Sequence, residues 1–140
     1  MAGELVPLVL MPRYTTLAGK PSTGSTDFTT VAMDVTTYDT AVVLAWRTAV
    51  VGTAPGGGGP PYAFAVWFEG STDQVTWIPI PPAEVSWVGT PLAGWKLDPD
   101  AQTQATIALG RRWFRFRVRL FAADNVATCW VVGTLRRRLP

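Results

Sequence analysis

The residues of this sequence best suited to chemistry are three arginines that alternate with apolar residues. Arg115, Arg117 and Arg119 are spaced two apart in the stretch 113–120. The planar guanidinium group of arginine binds a carboxylate or a phosphate through two parallel hydrogen bonds. The spacing therefore predicts a row of anion-binding groups along one face of a strand. The anions that fit it are carboxylates of this chain, carboxylates of a protein partner, or the phosphates of a nucleic acid.

The basic charge of the chain is concentrated in its last part. Residues 111–140 hold eight arginines against one acid, a net charge of +7, whereas residues 1–110 hold four basic against nine acidic residues, a net charge of −5. A concentrated basic segment attracts nucleic acid or an acidic protein surface. The alternative is a solvated sheet face that carboxylates on neighbouring strands balance.

Other groups that could do chemistry are scarce. The chain has no histidine and one cysteine, Cys129, which excludes histidine-based catalysis, an internal disulfide and a Cys/His zinc cluster. Asp98 and Asp100 offer two carboxylates, but calcium takes about six to eight oxygen ligands, and Asp-Pro-Asp is also an ordinary turn. A glycosidase needs two carboxyl groups across a cleft, and Glu69 lies beside a turn. We expect no enzymatic activity, no metal and no cofactor.

The alternation around the arginines predicts a half-buried β-strand, because successive side chains of a strand point to opposite faces. Similar short segments, separated by Gly, Pro and Asp turns, continue along the chain, and no long amphipathic helical pattern interrupts them. The sequence therefore predicts an all-β fold, a two-sheet antiparallel β-sandwich or jelly roll over residues 28–140. The nine predicted strands span residues 28–35, 38–51, 62–68, 75–80, 84–88, 94–97, 102–109, 111–120 and 126–137.

The core of this sandwich is predicted from the apolar side of the strands. A hairpin with Gly70 and Asp73 in its turn is expected to return the chain through Trp77, whose side chain inserts into the core. The apolar run around Cys129 indicates that this thiol is a small core residue. The residues expected to be buried are Phe64, Val66, Trp77, Phe114, Phe116, Val118 and either Trp130 or Cys129.

Residues 1–27 are predicted to form an extended arm that precedes the sandwich. Pro7, Pro12 and Pro21 prevent a continuous helix, and the start of the chain lacks the positive leader and cleavage site of a secretion signal. No apolar run approaches the ~18 residues of a membrane helix.

Apolar arm residues would be exposed if the arm floated free, so we expect them to dock on the domain itself or on another subunit. A chain that begins at Ser22 is expected to fold without the arm. The predicted partner interface consists of the arginine row and of Leu5, Val6, Leu8, Val9, Leu10 and Met11.

The segment 68–77, Phe-Glu-Gly-Ser-Thr-Asp-Gln-Val-Thr-Trp, resembles a Gly-Ser-x-Asp-x-x-x-Trp hairpin. That hairpin occurs in β-sandwich proteins of tailed-phage particles and in discoidin-like or carbohydrate-binding sandwiches. The resemblance covers roughly residues 35–135 and includes no active-site signature. It implies a small accessory or decoration-type virion protein, assembled in the host cytoplasm. Such a protein binds the capsid or tail and neighbouring copies of itself as a homo-oligomer, with a trimer favoured.

Two other functions stay open from the sequence. A carbohydrate-binding sandwich would use exposed Trp87, Trp95 or Trp113 as a stacking platform. A nucleic-acid-binding protein would use the arginines of 111–119 and 136–138. Sheets that bind single strands interleave aromatic with basic residues, and the pattern places only Trp113 on the arginine face. We therefore expect carboxylates of a neighbouring strand or subunit, and not DNA, opposite the arginine row.

Overall fold

The computed structural model describes residues 5–20, 24–52, 63–84, 87, 89–121 and 124–137. The described residues contain β-strands and no helix, and the strands form two antiparallel sheets that pack face to face. The predicted all-β two-sheet sandwich is confirmed. In chain order the strands are β1 (Leu5–Ala18), β2 (Ser25–Thr29), β3 (Met33–Asp34), β4 (Tyr38–Arg47), β5 (Phe64–Ser71), β6 (Ile78–Pro79), β7 (Gly89–Thr90), β8 (Gly94–Lys96), β9 (Thr103–Ala108), β10 (Trp113–Phe121) and β11 (Val126–Arg137).

The long strands pair in a nested order. Sheet A has the order β1-β11-β4-β9, and sheet B has the order β2-β10-β5-β8-β7, with β3 on β10 and β6 on β5. The first long strand thus pairs with the last, β2 with β10, β4 with β9 and β5 with β8. This arrangement of eight strands in two sheets is a jelly roll. The three additional strands, β3, β6 and β7, have two residues each.

The core lies between the sheets and is filled by the apolar side of each strand. On β10, Phe114, Phe116, Val118 and Leu120 are fully buried, while the residues between them are half-buried. Cys129 on β11 also faces the core. Trp130, the neighbouring alternative, is buried on the outer face of sheet A, outside the core cluster.

A hairpin joins β5 and β6, with Glu69 opposite Pro79. Asp73 lies in its turn as predicted, whereas Gly70 lies in β5, opposite Ile78, and not in the turn. The Asp73 carboxylate accepts the backbone N–H groups of Val75 and Thr76 at 2.8 and 2.9 Å, so it replaces strand hydrogen bonds in the turn. The prediction for Trp77 was wrong: its side chain is half-buried on the outer face of sheet B. Only Ile78 and Pro79 pair with the sheet after the turn. Trp77 therefore lies in the turn itself, and strand alternation does not direct its side chain into the core.

The segment expected to be an arm supplies edge strands of the sandwich. β1 pairs with β11 over most of its length, with bulges between Val9 and Met11 and between Met11 and Thr15. β2, which spans the expected boundary at residue 27, is the edge of sheet B beside β10. Four β1 side chains belong to the buried core. They are Leu8, Leu10, Met11 and Leu17.

The opposite edge of sheet A, strand β9, has its outward hydrogen-bonding groups occupied by the segment that follows β6. The N–H of Ala83 donates to the carbonyl of Thr106 at 3.0 Å. The Glu84 carboxylate accepts the N–H of Thr106, and the Trp87 indole donates to the carbonyl of Gln104 at 3.0 Å. Side chains and loop backbone therefore stand where another strand would pair.

Candidate functional site: the outer faces of the two sheets

The arginine row lies on the outer face of sheet B, opposite carboxylates of this same chain. Arg115 Nε is 2.9 Å from Glu69 Oε1, and Arg117 Nη2 is 3.3 Å from Glu69 Oε2. Arg117 Nη1 is also 3.3 Å from Asp27 Oδ2. Arg119 binds Asp27 through two hydrogen bonds, Nε to Oδ1 at 2.5 Å and Nη2 to Oδ2 at 2.9 Å. Two acids on adjacent strands thus bridge all three arginines.

The strand register brings these charges together. Arg115 lies directly opposite Glu69 across β10 and β5, and Arg119 lies directly opposite Asp27 across β10 and β2. Directly opposed residues in antiparallel strands have Cβ atoms about 4.5–5.5 Å apart, which the long arginine side chains span easily. Arg117 lies between the other two arginines on the same face of β10, two residues from each. It therefore reaches both Glu69 and Asp27.

The Asp27 carboxylate is held in its charged form. The hydrogen bond from Arg119 lowers the pKa of Asp27 below its ordinary value of 3.8, against the opposing effect of partial burial. The same hydrogen bond raises the pKa of Arg119. The Glu69 side chain is only 4% exposed, whereas those of Arg115 and Arg117 keep about a fifth of their surface in water. The ion pairs are therefore partly buried and shared.

Indole rings lie beneath the guanidinium groups of this face. Arg117 Cζ is 3.9 Å from the ring centroid of Trp67, and Arg115 Cζ is 4.0 Å from that of Trp77. Trp67 is 1% exposed, and its indole N–H donates to the Pro91 carbonyl at 2.9 Å. The prediction that Trp113 is the single aromatic on this face was wrong. Trp67 is fully buried and Arg115 lies over the half-buried Trp77, so these rings do not form an open stacking surface like that of a single-strand-binding sheet.

The outer face of sheet A has a different composition. Val42, Leu44 and Trp46 project outward from β4, and Val132 projects outward from β11 between them and Val9 of β1. Val9 is 57% exposed and Leu44 is 36% exposed. Among the described residues on this face no side chain is acidic, and the basic ones, Arg13 and Arg136, lie toward its margins. The centre of the face is apolar.

An aromatic cluster borders the apolar centre. Trp46 stacks on Trp130 with ring centroids 6.1 Å apart, and Tyr14 contacts Trp46 edge to face at 6.5 Å. Arg13 covers the other side of Trp130, with Cζ 4.4 Å from the ring centroid. Tyr14 adopts a left-handed backbone conformation at the second β1 bulge, with φ of 61°, and its side chain is 72% exposed. This cluster was not foreseen from the sequence.

An apolar cleft of about 500 Å³ opens between β1 and the segment that joins β2 to β3. It lies at the side of the sandwich where the edge strands of both sheets meet. The described lining residues are uncharged and include two methionines. They are Val9, Leu10, Met11, Pro12, Thr15, Thr29, Thr30, Val31 and Met33.

The predicted interface residues of the arm fall into two groups. Leu8, Leu10 and Met11 are buried in the core of this chain and are therefore not presented to a partner. Leu5 and Val9 are exposed, and Val6 is half-buried against the core. The exposed members extend the apolar face of sheet A along β1.

The tryptophans proposed as a sugar platform do not form one. Trp87 and Trp95 are buried in the core, which corrects the expectation that they are exposed. Trp113 is half-buried, with Arg112 Cζ 5.1 Å from its ring centroid. Arg112 also pairs with Asp34, Nη2 to Oδ2 at 3.1 Å.

Two groups considered for chemistry, Asp98 and Cys129, have contacts within the chain. Within the part of the chain that the structure describes, no three His, Cys, Asp or Glu side chains cluster as metal ligands. Asp98 pairs with Lys96 at 3.4 Å. Burial raises the pKa of the Cys129 thiol to about 12, and its Sγ lies 3.1 Å from Met11 Sδ. This thiol is neutral at physiological pH and therefore unreactive.

A buried cation closes one end of the core. Arg47 is 5% exposed; its Nε donates to the Leu97 carbonyl and its Nη1 to the Thr48 carbonyl at 3.0 Å. Desolvation lowers its pKa. These bonds tie β4 to the chain beyond β8, so Arg47 has a structural role.

Comparisons with known proteins found no match to this chain. No protein-family model matches it, and neither a curated protein nor a solved structure does. In the described residues there is no helix of the length and apolarity needed to cross a membrane. The function must therefore be argued from the two outer faces.

Proposed function

We propose that this protein is a non-enzymatic structural subunit of a phage-like particle. It acts as an accessory or decoration protein in contact with other proteins of the capsid or tail, and its place is the virion. The observation that carries the proposal is the exposed apolar face of sheet A, which stands opposite a sheet B face whose charges are already paired within the chain. The resemblance of the 68–77 hairpin to phage sandwich proteins supplies the kind of particle.

The apolar face supports a contact role on physical grounds. Monomeric soluble proteins rarely expose large contiguous apolar patches, and such patches with polar rims are typical of protein interfaces. Here Val42, Leu44 and Val132 lie side by side on adjacent strands. Burying them against another protein removes apolar surface from water without stranding a charge.

The sheet B face favours this function over nucleic-acid binding. Arg115, Arg117 and Arg119 each hold a carboxylate of the chain, so a phosphate would have to displace Glu69 or Asp27. Counterion release, which drives protein binding to DNA, is small when the basic groups are already neutralised. We expect negligible affinity for duplex DNA, with little dependence on salt.

The test is the copy number of the chain in particles. Particles of the phage or prophage that encodes the chain are purified on a density gradient, washed in high salt and quantified by mass spectrometry. We expect a fixed number of copies per particle. A non-structural protein of the same phage serves as the control for carry-over. Absence of the chain from washed particles contradicts the proposal.

A second candidate function is carbohydrate binding, which the exposed Tyr14 ring beside Trp46 favours. Aromatic faces of this kind stack on sugar rings. A glycan array distinguishes the two functions: a sugar that binds the wild type and not Tyr14→Ala would support this candidate. The Tyr14→Phe variant is the matched control, because it keeps the ring.

A further inference from the structure

The outer face of sheet A is close in size to one side of a stable protein interface. Four strands at about 4.8 Å spacing and ten residues along β4 at about 3.4 Å each give roughly 19 by 34 Å, or about 650 Å² in projection. A standard interface buries about 800 Å² on each partner. Strand β9 is shorter, with six residues, but side-chain relief raises the accessible area above the projected value, so the area of this face approaches that of one side of such an interface.

The charge distribution of this face would allow two copies of the same face to pack against each other. Its centre is made of Val42, Leu44 and Val132, while the basic residues of the described surface, Arg13 and Arg136, lie off this centre. Two copies related by a two-fold axis through the centre would bury apolar side chains against apolar side chains. The arginines would stay at the solvated rim, with Arg13 over the Trp130 ring.

Other large surfaces of the described chain are less suited to self-association. The outer face of sheet B already satisfies its arginines with Glu69 and Asp27. On the β9 edge, backbone groups of Gln104 and Thr106 are bonded to Ala83, Glu84 and Trp87. Among these surfaces, burying the outer face of sheet A would therefore contribute most to the free energy of association.

We propose that the outer face of sheet A packs against the same face of a second copy of this chain, in a two-fold dimer centred near Leu44. This rests on the proposed structural function and specifies the contact that it uses. The two sheets would stack as aligned layers, about 10 Å apart and about 30° from parallel, as the two sheets of one sandwich do. A two-fold dimer differs from the trimer that the resemblance favours, so the stoichiometry separates them.

The first test measures the mass of the full chain in solution by light scattering after size exclusion, across a concentration series. We expect twice the monomer mass of 15.2 kDa. Leu44→Lys places a charge in the centre of the interface, so we expect it to weaken dimerisation at least a hundredfold. Leu92→Lys is the matched control, because Leu92 is 94% exposed at the β7–β8 turn. It should leave the mass unchanged.

The second test does not depend on how well a lysine is tolerated. Leu44→Cys introduces a thiol at the proposed axis, and Cys129 is buried and unreactive. A bifunctional maleimide should then yield a covalent dimer with Leu44→Cys. Leu92→Cys places the thiol at a more accessible site and should nevertheless yield mostly monomer.

The outcomes separate this inference from the function on which it rests. A wild type that remains monomeric at the highest concentration, or a trimer, overturns the dimer even if the chain is found in particles. A dimer that Leu44→Lys leaves intact places the contact elsewhere and also overturns it. A Leu44-dependent dimer from a chain that is absent from particles supports the interface and contradicts the particle function.

Discussion

The two outer faces of this sandwich arise from the same alternation of side chains along strands, but they differ in composition. On sheet B the outward residues of β10 are arginines, and the neighbouring strands supply indole rings beneath them and carboxylates beside them. On sheet A the outward residues in the middle of β4 and β11 are Val, Leu, Thr and Trp, with Arg136 near the end of β11 and with Leu44 and Val9 exposed. The charges of the first face are paired within the chain, whereas the apolar residues of the second face remain partly exposed to water.

This difference separates residues that serve the fold from residues that serve contact. β5 is buried along its whole length because the arginine layer covers its outer side. Removing a member of that layer should therefore cost stability. Removing an exposed apolar residue of sheet A should cost association and leave stability nearly unchanged.

The largest effect is expected from deleting β1, which underlies part of the apolar face. Leu8, Leu10, Met11 and Leu17 leave the core together, and each contributes about 1.5–3 kcal/mol on burial. Their sum is comparable to the whole stability of a domain, about 5–15 kcal/mol. A chain that begins at Ser22 should thus fail to fold, contrary to the sequence-based expectation. Circular dichroism and a cooperative urea transition would check this; a folded product would show that β1 is a dispensable arm.

A smaller but clear effect is expected from Glu69→Gln on the sheet B face. The change keeps the shape and leaves Arg115 and Arg117 without their shared carboxylate. Loss of one partner of a fully buried pair costs about 3–5 kcal/mol, and we expect about 2–3 kcal/mol here because both arginines retain some contact with water. Urea unfolding measures it. Asp124→Asn removes an exposed acid and is the control, and equal costs for both would mean that the layer does not stabilise the fold.

The contribution of Asp27 should be visible in the dependence of the free energy of unfolding on pH at acid pH. Its pKa is lower in the folded chain than its ordinary value of 3.8, chiefly because Arg119 hydrogen-bonds to it. The stabilisation is therefore complete above about pH 4 and is lost as the pH falls through the folded pKa. Asp27→Asn should cost about 0.5–1 kcal/mol at neutral pH and flatten this part of the profile. A variant whose acid profile matches the wild type would show that the pair is not linked to folding.

The smallest effect on stability is expected for Leu44→Gln on sheet A. Leu44 is partly exposed in the single chain, so we expect a change within about 0.5 kcal/mol at concentrations where the chain is monomeric. Thermal unfolding at low concentration measures it. A loss of about 2 kcal/mol or more, typical of a core leucine, would mean that this face belongs to the fold and would erase the contrast between the sheets.

Period-two alternation was sufficient to predict the sandwich, the buried side of β10 and the turn at Asp73, because these depend on local spacing. Strand pairing was not readable, since the partners of Arg119 and Arg115 lie 92 and 46 residues away. The acids opposite them were therefore unnamed, although carboxylates on a neighbouring strand were one of the expected sources. The side of the sheet on which Trp77 lies was not predictable, because Trp77 is in the turn that precedes the two-residue strand β6. Alternation along a strand does not extend into a turn.

The apolar face of sheet A had a signal in the sequence that was not used. In β4, Ala41, Val43 and Ala45 alternate with Val42 and Leu44, so both sides of the strand are apolar. Such a strand is either covered on both sides or exposes an apolar side. Prolines and bulges also obscure the alternation of residues 5–18, so the pairing of β1 with β11 and its four core side chains could not be predicted from the sequence.

The hydrogen bonds along β9 also bear on solubility. A sheet whose edge offers free N–H and C=O groups in register can recruit strands from other chains without limit, which leads to ribbons and fibres. On β9 the loop and the side chains of Glu84 and Trp87 occupy that template, and on β1 Pro7 and Pro12 lack the N–H and two bulges break the register. Among the described residues, neither edge of sheet A therefore offers the unbroken row of backbone groups from which such a ribbon grows.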